Sequence, residues 1–208
     1  MGPEVDAGTR AWRGIDELAG LVGVYCWVEN RIFEVSGAWA TEAGHGPDGG
    51  GSEGGDPDGG LDPALRVWCA GVSRRHGLLA ARWAERLPVR AGVDGAALVT
   101  APAGPLAGAL GAMAATPDAR VGVETLVQSV FPRLRAIYGL HRRTASPVSE
   151  GSVLEVLVVA QQGLTAEIST GRALLQGVPE GLTRDAALGP QIERAFAETS
   201  VFPAVPAS

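Results

Sequence analysis

Residues 152–176, SVLEVLVVAQQGLTAEISTGRALLQ, are where a strand and a helix compete. The run Val153–Ala160 carries enough β-branched residues for a buried strand. Its continuation argues the other way. Leu154, Leu157, Val158, Leu164, Ile168 and Leu175 recur at three- and four-residue steps, the period of one helical face. No other segment sustains the alternation that a partner strand needs. The stretch therefore predicts a helix that opens at Pro147 or Ser152. Ser152 and Glu155 have capping-box spacing, and Gly177 is placed to end the helix.

Three more segments share that period. From about Arg10 to Glu42 the apolar positions are Ile15, Leu18, Val22, Tyr25, Cys26, Ile32, Phe33, Trp39 and Ala40. From Pro63 to Leu87 they are Leu65, Trp68, Cys69, Val72, Leu79 and Trp83, with Asp62 as cap, Pro63 in the first turn and Pro88 as stop. From Pro117 to Arg143 they are Val123, Leu126, Val127, Val130, Leu134, Ile137 and Tyr138. Thr116 and Pro117 open this segment, and Pro132 kinks or splits it. Residues 105–115 and 183–199 predict short helices. The expected fold is all-α, four main helices packed as a bundle with a long connection between the second and third.

Composition sets the boundaries. The chain has 208 residues, of which residues 1–9 read as a tail, 10–176 as the helical unit and 177–208 as short helices and a tail. Residues 44–60, GHGPDGGGSEGGDPDGG, contain too much glycine to bury a core and read as a solvated loop. Asp48, Glu53, Asp56 and Asp58 are oxygen ligands, but their spacing is not that of a calcium loop. The net charge is −6, a balance that speaks against nucleic acid as partner, and that every basic residue is Arg reads as coding bias rather than chemistry. No run of about 20 apolar residues offers a membrane span. Two cysteines without a CxxC pattern suit a reducing compartment, so a cytoplasmic location is expected. Setting Glu29 level with His76 in an antiparallel pair puts Cys26 and Cys69 roughly 15 Å apart along the axis. That exceeds the Cα separation of about 7 Å that a disulfide tolerates, so two free thiols are expected.

Polar residues on apolar stripes carry the functional signal. Glu29 interrupts the first stripe, His76 the second, His141 ends the third, and Gln161 interrupts the fourth. Glu29 has Arg74, Arg75 and His76 as possible partners. His141, next to Arg142 and Arg143, reads as a charge at a helix C-terminus. Tyr138 and the tryptophans read as packing, and the arginine groups at 74/75, 133/135 and 142/143 as solvated faces. No GxSxG, Walker or dinucleotide motif occurs.

With Glu29 in helix one, His76 in helix two and an extended connection between the second and third helices, the chain resembles the ferritin-like superfamily. The segments WCAGVSRRHGLLAARWAERLP, FPRLRAIYGLHRR and SPVSEGSVLEVLVVAQQGLTAEISTGRALLQ look like a ferritin-like family of actinobacterial type. The resemblance covers residues 10–176 and implies a ferritin-like four-helix bundle. That family's di-metal chemistry takes a Glu from each of two helices and a Glu-x-x-His from each of the other two. Here Ser73 stands three residues before His76 and Tyr138 three before His141, so neither of these two helical histidines completes a Glu-x-x-His. Glu124 falls near the start of its helix. The ligand set is degenerate, with Glu29, His76, Gln161, Gln162 and Glu167 as its candidate metal residues. The resemblance thus implies a bundle that acts by binding a ligand or a partner protein, with no cofactor expected. The alternative is a metal-dependent oxidoreductase using iron or manganese at an incomplete site. A third reading is a helical interaction protein that binds a partner protein or forms a homodimer, with Trp27 as a candidate off-stripe apolar residue.

Overall fold

The computed structural model describes residues 13–41, 61–89, 91–176 and 187–202, and these contain helices and no strand. Helix α1 spans Ile15–Thr41 and α2 spans Pro63–Ala84. A crossover follows, holding a 3-10 turn at Gly95–Leu98 and helix α3 at Leu106–Ala114. Helix α4 (Ala119–Thr125) runs through a π turn (Leu126–Val130) into α5 (Phe131–Thr144). Helices α6 (Gly151–Gln176) and α7 (Leu188–Glu198) complete the order. The competing stretch is thus helical throughout, and residues 44–60, with Asp48, Glu53, Asp56 and Asp58, lie outside the described residues, as does Gly177.

The side-chain contacts fix the directions of the long helices. On α1 and α2, Cys26 meets Ala80 and Phe33 meets Ser73, so the pair is antiparallel. Tyr25 meets His141 and Trp39 meets Gly122, so α1 also opposes the α4–α5 segment. His76 meets Glu167 and Arg86 meets Ser152, so α2 opposes α6. The order is up, down, down, up, and the crossover from residue 85 to 118 lets two consecutive long segments run the same way.

Local chemistry explains the boundaries. Asp62 accepts from the Ala64 amide at 2.7 Å, and Pro63 occupies the first turn of α2 as expected. Asp118, rather than Thr116, caps α4, accepting from the Arg120 amide at 2.9 Å. Ser152 lies inside α6, which already begins at Gly151, so the expected capping box is not its start. Pro132 does not break the third segment. Proline lacks an amide donor, and its ring crowds the carbonyl four residues back. The π turn directly before it widens the backbone, and the Phe131 amide bonds to the Leu126 carbonyl.

One core runs through the molecule, from Val22, Ile32 and Trp39 of α1 through Leu65 and Trp83 of α2 to Leu134, Leu157 and Leu164. Close approach is bought by glycine at two places. A Cβ on Gly122 would lie 2.2 Å from the Trp39 ring, and one on Gly23 would lie 2.0 Å from the Leu98 carbonyl oxygen. Not every stripe residue is inside: Ile15, Phe33 and Val158 are exposed. Trp27 packs partly buried against the core. Both cysteines are free and buried, as expected from their separation.

Candidate functional site

Three helices deliver charged side chains to one buried point. Glu29 of α1, His76 of α2 and Glu167 of α6 are each 2% exposed or less. His76 lies between the two carboxylates. Its Nδ1 bonds to Glu29 Oε2, and its Nε2 lies 3.2 Å from Glu167 Oε2. A carboxylate only accepts, so both ring nitrogens donate and the ring is an imidazolium. Its face stacks on Phe131, with centroids 5.4 Å apart and planes 9° apart.

The remaining carboxylate oxygens are also engaged. The Tyr138 hydroxyl donates to Glu29 Oε1, and Arg75 Nε donates to Glu167 Oε1 at 2.7 Å. Burial alone would pull the His76 pKa down, but the Glu29 and Glu167 carboxylates outweigh it and raise it to about 10. Burial pushes Glu167 up, and the stronger combined pull of His76 and Arg75 leaves it below the usual carboxylate range. Burial, with Glu29 alongside, raises the Tyr138 phenol well above its ordinary value.

A second buried cluster closes the other end of α5. The neutral form of His141 is favoured because burial pulls its pKa down more strongly than Glu150 raises it. Its Nε2–H donates to Glu150 Oε2 at 2.7 Å, and the Tyr25 hydroxyl donates to its Nδ1 at 3.1 Å. Arg13 adds a longer contact to Glu150 at 3.5 Å, and the Ser146 amide donates to the other oxygen at 3.1 Å. His141 is therefore not a charge at a helix end. It is a fully buried neutral ring in a side-chain network.

Of the five candidate metal residues, Glu29, His76 and Glu167 meet, while Gln161 and Gln162 do not. Six residues separate Gln161 from Glu167, which is roughly two thirds of a turn away on the helix wheel. Gln161 instead faces α5, and its Nε2 donates to the Arg135 carbonyl at 3.3 Å. The three that meet hold each other rather than a shared empty centre: each imidazole nitrogen points at a carboxylate. Among the described residues, no three His, Cys, Asp or Glu side chains are arranged to hold a metal ion.

Sequence reasoning passed over Tyr138, Tyr25, Glu150 and Arg13. Tyr138 looked like any core aromatic, and Glu150 precedes its helix, where periodicity has no reach. Beside the main cluster, a cavity of about 160 Å³ opens between α2 and α6. Leu78, Leu79, Val159, Ala160 and Leu164 form its walls, His76 and Glu167 its floor, and Arg75 and Arg82 its cationic groups. Comparison with family models, curated proteins and solved structures finds no match to this chain.

Proposed function

We propose that this chain is a ferritin-like four-helix bundle that works as a binding protein for a small, largely apolar molecule with one anionic group. The up, down, down, up order with a single long crossover supports the ferritin-like reading. The observation that carries the binding reading is the α2–α6 cavity: apolar walls around a few convergent polar groups. Arg75 is already paired with Glu167. Arg82 has no carboxylate partner among the described residues, so it is the cation left for a ligand. A space of about 160 Å³ suits a small molecule such as a short-chain carboxylic acid.

The test is calorimetric titration with butyrate and hexanoate. Gly163 lines the cavity, and a Cβ there would meet nothing within 4 Å, so Gly163→Leu fills the space without disturbing the helices. Binding by the wild type, weakened in Gly163→Leu and in Arg82→Ala, is the expected result. Absence of binding across the acid series would overturn it.

The metal-dependent oxidoreductase reading rests on a different observation, the convergence of Glu29, His76 and Glu167 from three helices. As placed, these residues do not fit a metal centre, because His76 would have to give up a proton and turn away from a carboxylate. Elemental analysis of the purified protein beside Glu29→Ala and His76→Ala separates the readings. Iron or manganese near one per chain, lost in both variants, would favour the oxidoreductase.

A further inference from the structure

We infer that the outer groove between α5 and α6 is a binding site for a soluble phosphorylated molecule, independent of the α2–α6 cavity. The groove encloses about 750 Å³ and is formed by two facing stripes. On α5 they are Arg135, Gly139, Arg142 and Arg143, at steps of four, seven and eight residues, which one helical face carries. On α6 they are Gln161, Gln162, Thr165 and Ser169. No carboxylate lines the groove, although the chain as a whole carries a net charge of −6. Among the described residues, none of these three arginines has a carboxylate partner, whereas Arg13, Arg75 and Arg133 do.

The floor is shaped rather than merely charged. Gly139 leaves a notch in which a Cβ would lie 2.8 Å from Gln161 Nε2 and 3.3 Å from Arg143 Nη1. The Gln161 amide and the Arg143 guanidinium therefore fold over the glycine. Gln161 Oε1 is buried there without a hydrogen-bond partner, an acceptor left unmet inside the groove. Thr165 donates its hydroxyl proton to the Gln161 carbonyl at 2.8 Å, so it too presents an acceptor. Guanidinium groups on one wall match phosphate oxygens, which take planar, paired donors. Acceptors on the other wall match hydroxyl or amino groups of the body that carries the phosphate. This arrangement also gives Gln161 and Gln162 a place that the central cluster does not.

Inorganic pyrophosphate is the probe, titrated at low ionic strength into the full chain. The expected result is saturable one-to-one binding, weakened at least about tenfold in the Arg142→Ala/Arg143→Ala double variant. Gly139→Ala keeps every charge and closes the notch, and it is expected to weaken binding as well. The Arg142→Lys/Arg143→Lys variant keeps the charge without the planar fork and should fall between. Thermal melts verify that each variant is folded. Four outcomes overturn the proposal: no saturable binding, unchanged affinity in folded Gly139→Ala, equal affinity for citrate, or binding only to anionic phospholipid vesicles.

Discussion

Tyr25 and Tyr138 meet edge to face, with ring centroids 4.9 Å apart and planes at 87°, and their hydroxyls serve different histidine–glutamate clusters. Tyr138 donates to Glu29, which holds a charged His76. Tyr25 donates to His141, which is neutral against Glu150. The same two side-chain types are thus held in opposite protonation states on either side of one tyrosine pair. The difference follows from partners: two carboxylates clasp His76, while one carboxylate and one phenol flank His141.

The first consequence is a stability profile with two arms. The folded pKa of His76 is about 10, above its ordinary 6.5, so its contribution is fully present below pH 6.5 and lost as pH rises toward 10. The folded pKa of His141 lies below 6.5, so its contribution is present above that pH and lost as pH falls through the folded value. Melting temperature measured across pH should therefore fall on both sides. The alkaline arm should flatten in His76→Gln and the acid arm in His141→Gln. A monotonic profile in the wild type would contradict the assignment.

Removing His76 leaves Glu29 and Glu167 facing each other across a buried space. Breaking a buried ion pair from one side costs about 3–5 kcal/mol. Urea unfolding of His76→Ala should show a loss of that order. A companion variant in which Glu29 and Glu167 are both changed to Gln should recover part of it. A loss below about 1 kcal/mol would mean that water reaches the cluster.

Two glycine substitutions should have opposite signs. Gly20→Ala meets nothing within 4 Å and should stabilise α1 by about 0.5–1 kcal/mol. Gly122→Ala drives a methyl group into the Trp39 ring and should cost about 1–3 kcal/mol or more. Denaturant midpoints of the two variants give the comparison directly.

The thiols should be silent in the folded protein. Burial raises the Cys69 pKa to about 12, and burial with Glu29 nearby raises that of Cys26. A thiol-reactive dye should label neither residue under native conditions and both in denaturant. Rapid native labelling of Cys69 would show that the α2 core opens locally.

The helical period made the long segments legible, and a polar residue on an apolar stripe made Glu29 and His76 legible. Glu167 was recovered as part of a ligand-type set. The period could not rank Gln161 against Glu167, because both border the α6 stripe and only packing decides which one faces α2. Tyr138 carried no signal, since a tyrosine on an apolar stripe reads the same whether its hydroxyl is used or not. Pro132 announced a disturbance, but the choice between a kink and a π turn belongs to the surrounding core. His141 was misread because its neighbours, Arg142 and Arg143, suggested solvent at a helix end, while Tyr25 and Glu150 approach it from distant positions.

The contact between Gly23 and the Leu98 carbonyl bears on the order of assembly. Helices usually gain their partners from nearby sequence, which makes all-helical domains fast to form. Here the middle of α1 is sealed by a backbone group that arrives 75 positions later, after α2 has formed and the chain has crossed over. The hairpin of α1 and α2 can form early, yet it stays unfinished until that strap is laid down. Refolding should accordingly show an early gain of helix and a slower step as the crossover closes.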